Sequence, residues 1–360
     1  MKTKLFLLLF FITFCQYAQM SKKPNIIIIL TDDQGYGDVG FNGSKQLKTP
    51  NLDQLAKNGV IFTNGYVSYA VCGPSRAGII TGRYQDRFGF SRNPLFTPKD
   101  ASSGLPLEEE TISEYLKKAG YNTMAIGKWH LGAHTSQRPL NRGFDEFFGF
   151  LSGGHKYFPE ELTRNDLSEV RSQFDAYNTK LLKNDKRVDE NEYLTDAFSR
   201  EAVNFIAKQN QKPFFLYLAY NAPHAPLQAT EKYLSRYHHI KNKKRKTYAA
   251  MVSAVDDGVG LILNKLKELK IEEAQKKIKL AWDEHGFDSE DFIQLQTQRA
   301  ELQGWKYKHN KLKDWLQWAE TSISSVPQFL DDTFPGWEFQ SAEEALYENI
   351  DNIDTKFKKK

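Results

Sequence analysis

Asp32 and Asp33 stand side by side in LTDDQGYGD. Two adjacent carboxylates repel each other unless a cation lies between or beside them. Hard oxygen donors of this kind suit Ca²⁺ or Mg²⁺, and Gly35 and Gly37 would let the backbone turn closely around such an ion. The same residues also read as a solvated Asx turn, with Asp38 as a turn residue. Further along are Lys128 and His130 in GKWH, His224 in NAPHAP, and Cys72 with Arg76 in AVCGPSRAGIITG. Taken singly, each has an ordinary reading: Arg76 as a surface ion pair, Lys128 as a solvated lysine, His130 and His224 as hydrogen-bonded structural histidines. His238, His239 and the Lys241 to Lys246 cluster read as an exposed basic loop, with guidance of an anionic polysaccharide as the functional alternative.

The elements that must position these groups give them a common place. Asn25 to Thr31, NIIIILT, is a continuous β-branched run, expected to be a strand buried on both faces of a parallel sheet. Thr49-Pro50 opens a helix to about Lys57, with Thr49 as cap and Gly59 beyond its end. Thr111 to Ala119 is a second helix, with a Thr111/Glu114 capping box and Gly120 closing it. Asn122 to Ile126 reads as a strand, Tyr193 to Lys208 as a helix, and Pro213 to Tyr220 as another buried strand. Alternation of this kind predicts an α/β fold with a mixed, mostly parallel sheet flanked by helices. In such sheets ligands gather beyond the carboxyl ends of the strands. Asp32 and Asp33 follow the first strand, Lys128 and His130 the second, and His224 the third, so one rim should collect them all.

The chain has 360 residues, of which 40% are hydrophobic and 26% charged, so it can bury a sizeable core. A net charge of +4 does not call for a nucleic-acid partner. Met1 to Ala18 reads as a secretory signal peptide: two lysines, then an apolar run from Leu5 to Phe14 that is too short to span a bilayer. Cys15 follows Phe14 where a lipoprotein signal requires a small residue, so cleavage near Ala18, export to the periplasm or medium and no permanent membrane span are expected. Removing the signal leaves one of the two cysteines, Cys72. Two cysteines exclude a disulfide-stapled scaffold.

Cys72-Gly73-Pro74-Ser75-Arg76 followed by Thr81-Gly82 resembles the type I sulfatase signature C-x-P-S-R. Gly120 to His130, GYNTMAIGKWH, resembles the second sulfatase signature, and residues 49 to 62 and 221 to 226 are also family-like. The similarity covers about Pro24 to Leu269, and RPLNRGFDEFFGFLSGGHKYF is similar to secreted bacterial polysaccharide sulfatases. The resemblance implies an alkaline-phosphatase-like sulfatase fold. It also implies oxidation of Cys72 to formylglycine (3-oxoalanine) by a maturation enzyme, and hydrolysis of sulfate esters on a sulfated polysaccharide with Ca²⁺. It assigns Asp32, Asp33 and modified Cys72 to the cation, Arg76 to the formylglycine diol, Lys128 to the sulfate, and His130 to the proton of the second hydroxyl. His224 would protonate the leaving alcohol or bind sulfate, Ser152 would contact substrate, and His155 the sugar.

The expected organisation is a signal peptide over 1–18, a sulfatase catalytic domain over 19–269 and a helical segment over 270–360. In that last segment the sequence departs from the family. The usual Ser-Asp-Asn-Gly or Ser-Asp-His-Gly turn that completes the cation site is missing, and IKLAWDEHG offers Asp283 and His285 as the nearest substitutes. Two other readings stand beside the enzyme: a degenerate, non-catalytic sulfatase-like domain that binds glycans or protein, and a related phosphoester or phosphonate hydrolase.

Overall fold

The computed structural model describes residues 23–165, 173–209 and 212–271. The signal segment and the Asp283/His285 pair lie outside the described residues. Six strands form one sheet: β1 (Ile26–Leu30), β2 (Asn122–Lys128), β3 (Glu146–Phe150), β4 (Leu181–Lys183), β5 (Lys186–Val188) and β6 (Phe214–Ala219). Their spatial order is β1-β6-β2-β3-β4-β5. The pairs β1–β6, β6–β2 and β2–β3 are parallel, whereas β3–β4 and β4–β5 are antiparallel.

The sheet separates two layers of core, as the period-two alternation of strand side chains requires. Met124, Ile126, Leu216 and Leu218 face the layer that also contains Phe198, Phe205, Met251 and Val255. Ala125, Phe215 and Tyr217 face the other layer, with Ala77, Ile80, Leu116 and Trp129. The helices that supply these layers are α1 (Pro50–Asn58), α2 (Cys72–Thr81), α3 (Ile112–Lys118), α4 (Leu194–Ala207) and α5 (Lys243–Glu268). In the described residues no helix is long and apolar enough to cross a membrane.

Three expectations need correction. β1 does pack on both faces, Ile27 and Ile29 against one core layer and Ile26, Ile28 and Leu30 against the other, but it lies at one edge of the named strands and all five of its residues are only partly buried. A β-branched run reports that a strand packs, not how many neighbours it has. Strand β2 runs on to Lys128, so this lysine ends the strand instead of following it. Thr49 precedes α1 without capping it by its side chain; its hydroxyl donates to Asp53 at 3.0 Å and accepts from the Gly40 N–H at 2.8 Å. The free N–H groups of α1 go to Asp256 of α5, which accepts from Asn51 N at 3.1 Å and Leu52 N at 2.8 Å. A carboxylate from another helix thus does the work of an N-cap. The capping box on α3 is present as the spacing predicts.

Candidate active site

Because β6 lies between β1 and β2 and all three run parallel, their carboxyl ends open on one rim. Asp32 leaves β1 and is almost fully buried, at 4% exposure. Its backbone N–H donates to the carbonyl of Ala222, just past β6, at 3.2 Å. Its carboxylate receives Lys128 Nζ at 2.5 Å on one oxygen and Arg76 Nη2 at 3.3 Å on the other. Burial alone would raise the Asp32 pKa, but the Arg76 and Lys128 charges outweigh it and hold the carboxyl below its ordinary value. Arg76 also donates through Nη1 to the Lys128 carbonyl at 2.9 Å, so α2, β1 and β2 meet at this triad. The surface reading of Arg76 and the solvated reading of Lys128 are both overturned: each is 2% exposed or less.

Cys72 is the first residue of α2, and Val71 is the cap. Asn93 holds this end: its Oδ1 accepts from the Gly73 N–H at 2.8 Å and lies 3.7 Å from the Cys72 thiol. A helix N-terminus presents unpaired N–H groups and favours negative charge. The thiol is half-buried, not sunk in apolar packing.

His130 is 5% exposed and has a left-handed backbone, with φ of 55°; Asp33 has φ of 60°. Non-glycine residues in this region store strain that surrounding structure must offset. Nδ1 of His130 is buried without a hydrogen-bond partner among the described residues. Burial, then the positive charges of Lys128 and Arg76, hold its pKa well below the ordinary histidine value. The ring is therefore neutral at pH 7 and can accept a proton. The segment that carries it is anchored by Trp129, whose indole N–H donates to the Gln137 carbonyl at 2.9 Å.

His224 Nδ1 lies 2.6 Å from the carbonyl of Ala225, which assigns its proton there. Nε2 then faces Asp33 Oδ2 at 3.6 Å and is the nitrogen free to exchange a proton. The turn is fixed by Tyr157, whose hydroxyl lies 2.7 and 2.8 Å from the carbonyls of Asn221 and His224.

Ser152 and His155 do not present themselves as expected. Ser152 is buried, and its hydroxyl donates to the Gly154 carbonyl at 2.7 Å, so it braces the loop after β3. His155 is fully buried, stacked on Phe150 with ring centroids 4.5 Å apart, and both ring nitrogens face carbonyls, of Lys156 and Thr179. Burial pushes its pKa down to about 4. It supports the fold and has no surface to offer a sugar. Asp38 pairs with Arg245 at 2.7 Å and accepts from the Tyr248 hydroxyl at 2.8 Å, tying the loop after β1 to α5. It is a turn residue, as read from the sequence. No spacing rule marks Asn93, Asn221, Tyr157 or Tyr177 in the sequence, because they lie in loops or at an element's end.

The donors for a cation can be tested on this geometry. Asp33 is 68% exposed and its carboxylate has one ionic contact among the described residues, to His224. Beside the Asp32–Ala222 contact, Asn221 is buried, with both side-chain amide atoms unpartnered among the described residues. These hard oxygens fit Ca²⁺ in kind. In number they fall short: among the described residues no three His, Cys, Asp or Glu side chains gather into a metal-binding group.

The comparisons with known proteins agree with this geometry. The sulfatase family model matches residues 24–274. N-acetylgalactosamine-6-sulfatase of Mus musculus is 38% identical over 267 residues, covering 71% of this chain and 49% of the relative. The uncharacterized sulfatase YdeN of Escherichia coli K12 is 34% identical, covering 68% of this chain and 49% of its own length. The crystal structure of Ps i-CgsB in complex with k-i-k-neocarrahexaose is 47% identical with a TM-score of 0.63, covering 69% of this chain and 55% of that one. The chain thus spans about half the length of the curated relatives it matches. With both signature segments brought to one rim and the family model matching most of its length, the chain belongs to the sulfatase family.

Proposed function

We propose that this chain hydrolyses sulfate esters on a sulfated polysaccharide or its oligosaccharides. The observation that carries this reading is the buried Arg76–Asp32–Lys128 triad set against the N-terminus of the helix that begins at Cys72. Two buried cations and a helix N-terminus make a place for a tetrahedral anion. A carrageenan oligosaccharide bound to a structure 47% identical to this chain supports a sulfated galactan as the substrate class.

Oxidised to formylglycine and hydrated, position 72 would supply one hydroxyl to attack sulfur as the sugar oxygen leaves, and a second that, on losing its proton, reforms the aldehyde and expels sulfate by breaking the C–O bond to the first. Asp32 and Asp33 would hold Ca²⁺, which would draw charge from the sulfate oxygens. Lys128 would hold the sulfate as a point charge, and Arg76 would orient the hydrated side chain from the following turn of α2. Neutral His130, with its pKa lowered, would accept the proton released as sulfate departs. In its imidazolium form, with Nδ1–H held by the Ala225 carbonyl and Nε2 facing Asp33, His224 would give its Nε2 proton to the leaving sugar oxygen. The Met1 to Ala18 pattern supports export, and a maturation enzyme would have to oxidise Cys72 on the way.

The test is mass spectrometry of the Cys72 peptide from protein coexpressed with a maturation enzyme, beside sulfate release from carrageenan oligosaccharides. The expected result is the mass change of thiol to aldehyde, Ca²⁺-dependent sulfate release, and a loss of at least about 10³-fold in Cys72→Ala. An unmodified thiol in a chain that binds sulfated oligosaccharide but releases no sulfate would establish the non-catalytic reading instead; the partial cation shell among the described residues is the observation in its favour.

A further inference from the structure

The loop after β3 carries two consecutive glycines, and each is needed for a different reason. A Cβ on Gly153 would fall 2.7 Å from Nε2 of His130. A Cβ on Gly154 would fall on the ring and hydroxyl of Tyr177. The backbone at these two residues is therefore pressed between the buried histidine on one side and a phenol on the other. Lys156 N–H donates to the Tyr177 carbonyl at 2.9 Å, which fixes the short helix Gln173–Asn178 on the same loop. Tyr177 in turn packs edge-on against Phe174, with centroids 5.5 Å apart and planes at 70°. Phe174 is 71% exposed. A continuous path of groups thus runs outward: His130, Gly153, Gly154, Tyr177, Phe174.

This path answers a question that the buried triad raises. Arg76 and Lys128 can hold the sulfate group, but a sulfate ester also carries a sugar, and that sugar must leave the buried centre across its rim. Tyr177 is half-buried, and its hydroxyl has no hydrogen-bond partner among the described residues. Burial, and then the charges at Cys72, Asp32 and Asp33, raise its pKa, so the phenol stays protonated and can donate. An aromatic face beside a hydroxyl donor matches a pyranose ring, which offers C–H groups on its faces and hydroxyls at its edge.

Building on the sulfatase reading, the geometry points to Tyr177 and Phe174 as the sugar subsite: the Tyr177 hydroxyl contacts the sulfated sugar and the Phe174 ring stacks on the saccharide as it leaves the rim. Neither side chain touches the reacting atoms. Their contribution is to select a saccharide over a bare sulfate or a small sulfate ester.

Binding needs no turnover, so the experiment uses the full chain with its unmodified thiol. Calorimetric titration with k-i-k-neocarrahexaose and, separately, with inorganic sulfate gives two affinities for each variant. Phe174→Ala is expected to lower the ratio of hexasaccharide to sulfate affinity about tenfold, and Tyr177→Phe about fivefold. A general loosening of the fold would weaken both ligands together and leave that ratio unmoved. Ratios within about twofold of the parent chain would overturn the subsite while leaving the sulfatase reading intact. A parent chain that binds sulfate but no hexasaccharide overturns the subsite and the polysaccharide substrate together. A chain that binds neither overturns the broader reading as well.

Discussion

Removing the negative charge of Asp32 tests whether the rim is built to hold an anion. Asp32→Asn keeps the shape and leaves Arg76 and Lys128, 2% and 1% exposed, with no counter-charge between them. Breaking a buried pair by removing one partner costs about 3–5 kcal/mol. Because one carboxylate serves two cations here, the upper part of that range is expected. In a domain of this size each kcal/mol lowers Tm by about 2–4 °C, so a drop of roughly 10–15 °C should follow. The same vacancy of charge should make the variant more responsive to anions. At a hundredfold excess over its Kd a ligand adds about 2.7 kcal/mol, so sulfate should restore half or more of the loss. The assay is thermal and urea unfolding of both proteins in chelator-containing buffer, with sodium sulfate against sodium chloride at equal ionic strength. Chelation separates this effect from loss of a cation. The reasoning is refuted if Asp32→Asn matches the parent chain within about 1 kcal/mol, or if sulfate stabilises both proteins equally.

Two further outcomes follow from the same coordinates. His155 is lowered from 6.5 to about 4, so its contribution is fully present above pH 6.5 and is lost as pH falls toward 4; the loss amounts to about 3 kcal/mol. His155→Gln should therefore lose about 3 kcal/mol less than the parent chain between pH 7 and pH 4 in urea unfolding, and parallel pH profiles would show the imidazole to be unimportant. Gly127 has φ of 98°, and a Cβ there would fall on the Ala219 carbonyl of β6, which is backbone and cannot yield. Gly127→Ala should cost more than about 2 kcal/mol and reduce soluble yield, measured by denaturant midpoint against the parent chain.

Much of the site could be read before any coordinates, because its groups sit where short-range rules apply. The run IIIIL with Asp32 just beyond it and the strand over Asn122 to Ile126 with Lys128 near its end each announce an element and the residue close to its end, whereas the helix that opens at Cys72 is not announced by any periodicity. The sheet's order could not be read in this way. That β6 enters between β1 and β2, and that β1 lies at one edge of the named strands, depends on pairings between residues far apart in the chain. Strands β4 and β5 are three residues each and carry charged side chains, so no periodicity reveals them. Asn93 and Tyr177 reach the centre only through folding of the loops that bear them. The same holds for Asp256, whose service to α1 is invisible in a helix that otherwise looks self-sufficient. His155 went the other way. The family resemblance assigns it to the sugar, yet its ring lies buried against Phe150.

The insertion of β6 between β1 and β2 also orders events in time. A ribosome delivers β1 first, then Cys72, then β2, and only much later the strand that joins the two. At about 5–20 residues per second, the wait between Cys72 and β6 is roughly 7–28 s. Throughout that interval β1 and β2 have no central strand to pair with, so the sheet cannot close beside residue 72. The late arrival of Phe214–Ala219 would thus keep open a window in which an enzyme could alter residue 72 before the fold closes around it.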